Sequence, residues 1–581
     1  MPVTLAGLSD HVAARHGAAP AVRFRDPAAP EGWAVRDYAT LGADCATAGE
    51  VLRGLGVRPG DRVAVIGETR YAWTVTHLGA LRIGAVIVPV YPTAGPEELC
   101  WVLSDSGATV AVCDDEDRAE RVRDLRGRFP ALREVVVMAA LTDPAGGPVP
   151  PGPAAEPHPD AEAALVYTSG TTGPPKGCRL SHGNFTAVQR ASVPLVVSEP
   201  GDRTYLYLPL AHLLAQMIQF TTLLKGGELA YFGGRVEDVI GELAEVSPTH
   251  LPSVPRLFEK VHAVVAGLAA GSEGGSERLA EAVRVGVLKA EGEELTKTER
   301  ETWQSAEDGL YGLVRAAFGG RLRWATTGGA PIAIETLDLL RACGIRVFEG
   351  YGMTESGGLI TLNHPGAVRY GTVGRPVEGC EVRIAEDGEV LARGPMVFGG
   401  YHANPTATDE TLDGEGWLRT GDLGTLDEDG FLRITGRKKE LIITSAGKNI
   451  TPTEVEFAVQ RARLVSRAVL VGDRRPYPVA LITLDEAELA GWAKETGTEV
   501  GNRPANHPAV RAEVERAVTE ANERVARPAR IRAFAILDEE FTVAAGTLTP
   551  TLKLRRAEIL RRYAERVEAL YATGPKPDAT P

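Results

Sequence analysis

The chain has 581 residues, 44% of them apolar and 24% charged, which is too long for one ordinary core and suits a globular protein of two or more domains. Its formal net charge of -14 argues against nucleic acid as the main partner, which needs a basic face. A local phosphate site stays open, because charges beyond about 8 Å are screened at physiological salt.

The chain opens on "MPVTLAGLSDHVAARHG", without a basic segment leading into an apolar run, so no signal peptide is expected. Residues 61–138 alternate between strands and helices. "RVAVIG" and "AVIVPVY" read as buried strands, with "YAWTVTHLGALRIG" between them at helical spacing. "PEELCWVLSDSG" starts with proline and acids that suit a helix first turn, and "ATVAVC" and "EVVVM" follow as strands. Apolar strands separated by helices predict a parallel sheet covered on both faces. Residues 139–160, rich in Pro, Gly and Ala, predict a surface linker within the first domain. Residues 262–310 predict an inserted pair of helices. From 372 to 435 short strands alternate with turns, and the DG pairs of "EVRIAEDGEVLARG" and "GTLDEDGFLRITG" mark hairpins. After 440 a smaller unit follows: helix "VEFAVQRARLV", strands "SRAVLVGD" and "PVALITLD", and a long helix over 507–525. The tail 573–581 reads as disordered. No run approaches 18 uninterrupted apolar residues, so no membrane span is expected. The six cysteines (Cys45, Cys100, Cys113, Cys178, Cys343 and Cys380) form no CxxC pair, which points away from a zinc site or a disulfide framework and toward a reducing compartment.

The most informative stretch is "YTSGTTGPPKG", residues 167–177. It is not a P-loop, since Lys176 is followed by Gly177 rather than Ser or Thr, and it contains no GxGxxG. It nevertheless gathers the hydroxyls of Thr168, Ser169, Thr171 and Thr172 with Gly170, Gly173, Gly177 and one lysine. Glycines let backbone N–H groups close around an anion, and the lysine adds a point charge. A plain Ser/Thr/Gly surface turn is the alternative for this stretch taken alone.

Seven further stretches settle the comparison: "YLPLAH" (207–212), "TTGGAP" (326–331), "EGYGMTES" (349–356), "GEVLARGP" (388–395), "WLRTGD" (417–422), "GRKKELIITSAGKNITPTEVE" (436–456) and "LTPTLKLRR" (548–556). With 167–177 they resemble, in order and over nearly the whole chain, the adenylate-forming superfamily of acyl-CoA synthetases, luciferases and peptide-synthetase adenylation domains. The 262–310 insertion and the "LTPTLKLRR" ending most resemble the long-chain fatty acid CoA ligase branch.

The resemblance implies an α/β fold: a large multi-lobed N-terminal domain (1–438) with parallel sheets and a β-rich lobe, a small mobile α+β C-terminal domain (439–572), and the tail 573–581. It implies ATP, Mg²⁺ and coenzyme A as cofactor and cosubstrates, and a fatty acid, ATP and CoA as the small-molecule partners. It also implies a cytoplasmic protein with peripheral contact to a membrane, while leaving the oligomeric state open. Thr168, Ser169, Gly170, Thr171, Thr172, Gly173 and Lys176 would hold the β- and γ-phosphates. Thr168 and Glu355 would hold Mg²⁺, whose preference is for hard oxygen ligands. Thr354 would meet the α-phosphate. Tyr351 would lie on the adenine, with Gly328, Gly329 and Ala330 approaching it closely and Glu349, Gly350 and Gly352 completing that motif. Asp422 would take both ribose hydroxyls, and Arg437 would also reach the ribose. His212 would flank the carboxylate pocket. Lys439 falls at the hinge, Lys448 with Arg474 and Arg475 would meet CoA phosphates, and Lys553 would be the adenylation lysine. An aryl or medium-chain acid, a carrier-protein thiol as acceptor, and a non-catalytic nucleotide-binding relative are the rival readings. The last is disfavoured because Lys176, Glu355, Asp422 and Lys553 are all present.

Overall fold

The computed structural model describes residues 2–143, 150–168, 174–196, 199–235, 238–549 and 553–572. Two sheets organise the first four hundred residues. One has six strands in the order Glu134–Val137, Val110–Cys113, Arg62–Ile66, Val86–Val90, Glu162–Thr168, Lys176–Ser181. All neighbours are parallel except the last pair, an antiparallel hairpin in which Thr168 faces Lys176. The other has nine strands and pairs Pro20–Arg25 in parallel with Glu228–Tyr231, some two hundred residues away. Its parallel centre contains Trp324–Thr327 beside Arg346–Tyr351.

Helices Tyr38–Gly54, Tyr71–Arg82 and Leu213–Lys225 share one core with strand residues of both sheets. A helix held between two sheets must be apolar all round rather than on one stripe. Eleven of the twelve residues of Tyr71–Arg82 are accordingly buried. A four-stranded antiparallel sheet follows, running Glu381–Ile384, Glu389–Arg393, Leu418–Leu426, Leu432–Arg437. Its two DG turns put Gly388 and Gly430 at φ 84° and 80°, where a side chain would be strained. The last part of the chain has its own sheet of Val465–Val471, Val479–Leu484 and Ala533–Ile536. Pro452–Gln460 and Pro508–Glu523 cover one face and Ala564–Ala572 the other.

Two expectations need correction. The predicted helix pair at 262–310 is a longer run: Pro255–Ala270, Gly275–Glu291, Lys297–Ala306, a π-turn at Glu307–Tyr311, and Gly312–Ala317. Gly292, at φ 83°, ends one helix and a Thr296/Glu299 capping box starts the next, so a stretch of uniform composition holds more breaks than its periodicity suggests. The expected linker 139–160 begins with a short helix, Ala139–Thr142. Further on it is tied down: Arg82 donates to the Gly152 carbonyl at 2.8 Å and Arg53 to the Pro153 carbonyl at 2.8 Å. The tail expected to be disordered, 573–581, lies outside the described residues.

Candidate active site

The site is built at strand ends, where open α/β sheets place their ligand crevices. Thr168 and Lys176 close the six-stranded sheet's hairpin, and the loop residues Ser169, Gly170, Thr171, Thr172 and Gly173 between them lie outside the described residues. Both flanks of that loop are anchored from helix Pro96–Ser106. Trp101 Nε1 donates to the Pro175 carbonyl at 2.8 Å, and Tyr167 donates to Asp105 Oδ2 at 2.6 Å.

Strands Trp324–Thr327 and Arg346–Tyr351 run side by side and end together. A Cβ on Gly328 would stand 3.0 Å from the Gly350 carbonyl oxygen, and one on Gly352 would stand 2.4 Å from that of Gly358. The backbones therefore meet as closely as only glycine permits, and Gly329 and Ala330 form the exposed turn beyond them. Glu349 is buried, accepts from the Gly371 N–H at 3.3 Å, and is pushed up to about 7 by that burial. Thr354 and Glu355 lie in the 3₁₀ turn Thr354–Ser356.

Asp422, 4% exposed, is a centre of contacts. Tyr351 donates to its Oδ2 at 2.7 Å and Arg437 Nε lies 3.0 Å from its Oδ1. Sheet register explains the second contact, since Asp422 and Arg437 face one another on adjacent antiparallel strands. Glu355, 7% exposed, accepts from Tyr401 at 2.7 Å. The Cys178 thiol, raised by burial and by Glu355, lies against both the Thr168 hydroxyl and the Glu355 carboxylate. Thr168 and Glu355 thus both bear on the one buried thiol. Among the described residues no cluster of three or more His, Cys, Asp and Glu could cage a metal by itself. Two oxygens fit Mg²⁺ that arrives with a nucleotide, because this ion keeps water and phosphate as its remaining ligands.

Lys553 reaches the same place from the far end of the chain. Burial and Arg437 lower its pKa, against the opposing pull of Asp422, Glu355 and Glu440. The side chain keeps solvent access, so it stands in a cleft with protein on most sides rather than in a sealed core. His212 caps helix Leu213–Lys225 by accepting from the Leu214 N–H at 3.2 Å. Burial and then Lys553 lower it to about 4, which leaves it neutral at physiological pH.

The structure therefore brings Thr168, Lys176, Tyr351, Glu355, Asp422, Arg437 and Lys553 into one connected neighbourhood. Lys439, Lys448, Arg474 and Arg475 sit elsewhere, on the small unit or at its edge. Lys439 is exposed in the turn Lys438–Glu440, next to Lys438, which binds Asp387 and Glu389 at 2.5 and 2.9 Å. Lys448, Arg474 and Arg475 cluster around hairpin 442–450, where Arg474 N–H donates to the Ile443 carbonyl and Ser445 N–H to the Arg475 carbonyl. Arg475 also pairs with Glu568. Sequence reasoning missed Tyr401, Cys178, Trp101 and Asp105. Nothing in the sequence marked Tyr401, since its burial is known only from the fold.

Comparison with known proteins places the chain in a family. The AMP-binding enzyme family matches residues 9–402, and the AMP-binding enzyme C-terminal domain matches residues 439–574. The long-chain-fatty-acid–CoA ligase FadD15 of Mycobacterium tuberculosis is 39% identical over 545 residues, covering 90% of this chain and 89% of its own. The long-chain-fatty-acid–CoA ligase ACSBG2 of Xenopus laevis is 30% identical over 93% of this chain and 80% of its own. Among solved structures, the adenylation domain of a carboxylate reductase from Mycobacterium chelonae superposes with a TM-score of 0.78 at 21% identity, covering 98% of this chain and 91% of that one. The o-succinylbenzoate CoA synthetase of Bacillus subtilis, in complex with ATP and magnesium ion, superposes with a TM-score of 0.68 at 23% identity, covering 95% and 98%. At these identities the solved structures speak for the fold.

Proposed function

Since the chain belongs to the AMP-binding enzyme family, we propose that it is an ATP-dependent long-chain fatty acid–CoA ligase that passes through an acyl-adenylate. A carboxylate is a poor electrophile, because its charge repels nucleophiles and oxide leaves badly. In the first half-reaction its oxygen attacks the α-phosphorus of ATP and pyrophosphate departs. In the second, the CoA sulfur attacks the acyl carbon, AMP departs, and the thiol proton passes to solvent. The protein's share of the first step is positioning and charge neutralisation.

In this reading the loop from Thr168 to Lys176 holds the outer phosphates and Thr354 meets the α-phosphate. The glycines 328, 329, 350 and 352, with Ala330, Glu349 and Tyr351, receive the adenine. Asp422, steadied by Tyr351 and Arg437, takes the ribose. Thr168 and Glu355 hold Mg²⁺, which supplies positive charge to the phosphate oxygens. Lys553 directs its ammonium at the reacting phosphate. His212, neutral, lines the carboxylate pocket. Residues 1–438 form the nucleotide- and acid-binding domain. Residues 439–572 move about Lys439, after which Lys448, Arg474 and Arg475 meet CoA. The protein works in the cytoplasm and touches membranes peripherally, where long-chain acids partition. No helix among the described residues is long and apolar enough to cross a membrane.

The carrying observation is that Lys553, from the last thirty residues, shares its electrostatic surroundings with Arg437, Asp422, Glu355 and His212. The test is a panel of fatty acids of graded length, aryl acids and amino acids, each with ATP, Mg²⁺ and CoA. AMP, pyrophosphate and thioester, with the highest kcat/KM on long chains, are expected. ADP and phosphate as products would overturn the adenylation chemistry. A best substrate among aryl or medium-chain acids would overturn the chain-length assignment, and no turnover of any acid would favour a non-catalytic relative.

A further inference from the structure

Tyr401 stands where the phosphate strand meets Glu355, and the roles above leave it unused. Its segment is strapped along strand Lys176–Ser181. Arg179 N–H donates to the Gly400 carbonyl at 3.1 Å, Gly399 N–H to that of Arg179 at 3.2 Å, and His402 N–H to that of Gly177 at 2.7 Å. Asn184 Nδ2 donates to the carbonyls of Pro395 and Val397, both at 2.9 Å. The segment is also tied to the turn carrying Glu355, whose backbone carbonyl accepts from Phe398 N–H at 2.9 Å. The Phe398 ring meets the Tyr401 ring edge-on at 4.9 Å. Backbone and ring of Tyr401 are thus both fixed before its side chain does anything.

That side chain then makes two contacts with opposite charges. The hydroxyl donates to Glu355 Oε1 at 2.7 Å, and Lys176 Nζ lies 5.1 Å from the ring centroid, within cation–π range. A phenol, with a usual pKa near 10, is an O–H donor at working pH. A buried carboxylate and a neighbouring ammonium would otherwise close into a direct ion pair, each cancelling the charge that a metal or a phosphate requires. The tyrosine offers each a different partner: the ring face for the ammonium, the hydroxyl for one carboxylate oxygen. Fixing Oε1 also fixes the direction of the second oxygen.

We propose that Tyr401 is a positioning residue for the adenylation step: it aims Glu355 at Mg²⁺ and keeps Lys176 apart from that carboxylate, so that both charges stay available to the nucleotide. The proposal rests on the roles given to Glu355 and Lys176 above. Tyr401→Phe keeps the ring and removes the hydroxyl, while Tyr401→Leu removes both. A control, Thr408→Val, loosens the segment without touching the hydroxyl, since Thr408 Oγ1 accepts from the Tyr401 N–H at 2.9 Å.

The readout is equilibrium binding of a fluorescent ATP analogue across a Mg²⁺ titration and in EDTA, alongside the two half-reactions. For Tyr401→Phe the Mg²⁺ concentration at half-saturation should rise about tenfold or more, as expected for losing a hydrogen bond to a charged group. Binding in EDTA and conversion of supplied acyl-AMP and CoA to thioester should be unchanged. Tyr401→Leu should also weaken binding in EDTA. Thr408→Val should lower Tm and leave the Mg²⁺ midpoint in place. Adding Tyr401→Phe to Glu355→Gln should shift that midpoint no further. A wild-type Mg²⁺ midpoint for Tyr401→Phe, or equal losses in both half-reactions, would overturn the proposal. ATP binding by the unaltered protein that ignores Mg²⁺ would instead overturn the metal role of Glu355, and this role with it.

Discussion

Lys553→Ala separates the two half-reactions. As the carboxylate approaches the α-phosphate two anions are forced together, and charge builds on the bridging oxygen. At an effective dielectric of about 20, a unit charge 4 Å away contributes about 4 kcal/mol. The part that develops between ground and transition state is what accelerates the step. Loss of one preorganised donor costs about 2.7–4 kcal/mol, or roughly 10²–10³ in rate. The cations around Lys553 are committed elsewhere: Arg437 lies 3.0 Å from Asp422 Oδ1, Arg556 is paired with Glu456 and, at 3.3 Å, with Glu440, and Arg555 faces Glu98. Pyrophosphate exchange should therefore fall by about 10²–10³. Thioester formation from supplied acyl-AMP and CoA should stay near normal if, as proposed, residues 439–572 have rotated Lys553 away by then. Burial and Arg437 hold the free enzyme's Lys553 below the usual lysine value of about 10.4. As pH rises the ammonium is lost, so kcat/KM for adenylation should decline with a midpoint under that value, and the decline should vanish in Lys553→Ala. Near-normal pyrophosphate exchange in the variant, or a matching collapse of the second step in a folded protein, would refute this reasoning.

Asp422→Asn removes the charge that accepts from Tyr351 and Arg437. The ATP KM should rise about 10- to 100-fold, the scale of a hydrogen bond to a charged group, and an unchanged KM in steady-state assays would remove Asp422 from the nucleotide site. Lys439→Pro fixes φ near −65° and should slow thioester formation by about 10², the scale of a small misplacement, while leaving pyrophosphate exchange largely intact; equal losses would deny a hinge here. Four histidines are held neutral by burial, His77 and His250 at about 3, His182 and His212 at about 4. Unfolded, each takes up its proton near pH 6.5, so the stability they contribute is complete above that value and lost as pH falls toward 4 and below. Tm measured from pH 7.5 to 4 should fall steadily through that window, and a flat profile would show these rings protonating without unfolding.

What the sequence disclosed was local chemistry carried by contiguous motifs. "RTGD" and "GRKK" were both legible as motifs, and the DG turn between them predicted a hairpin; that Asp422 faces Arg437 across it is what the structure adds. The burial of Glu349, which raises its pKa to about 7 against the lowering hydrogen bond from Gly371 N–H, was not legible, because it follows from packing rather than from the motif itself. Tyr401 escaped for a similar reason. Its partners Lys176 and Glu355 belong to motifs far apart in the chain, and a tyrosine after two glycines has no spacing that marks a donor. Sheet order was hidden as well. The pairing of Pro20–Arg25 with Glu228–Tyr231 follows from packing across the whole domain rather than from local pattern.

Exposed ion pairs cross the seam that brings Lys553 to the site. Arg461 grips Glu335 through two bonds of 2.7 Å and Arg524 adds a contact of 3.3 Å, with the first pair 36% and 43% exposed. Arg256 lies 3.6 Å from Asp485. Exposed pairs of this kind contribute about 0–1 kcal/mol each, so together they favour this orientation by an amount that a bound ligand can readily exceed. The cluster inside the cleft is different in kind, with Asp422 and Glu355 buried and hydrogen-bonded. A rigid nucleotide site closed by a weakly held partner is what a two-step reaction demands. In the proposed reaction the chain would assemble Lys553 over the phosphates for the first step and release it for the second, without disturbing the buried Asp422 and Glu355.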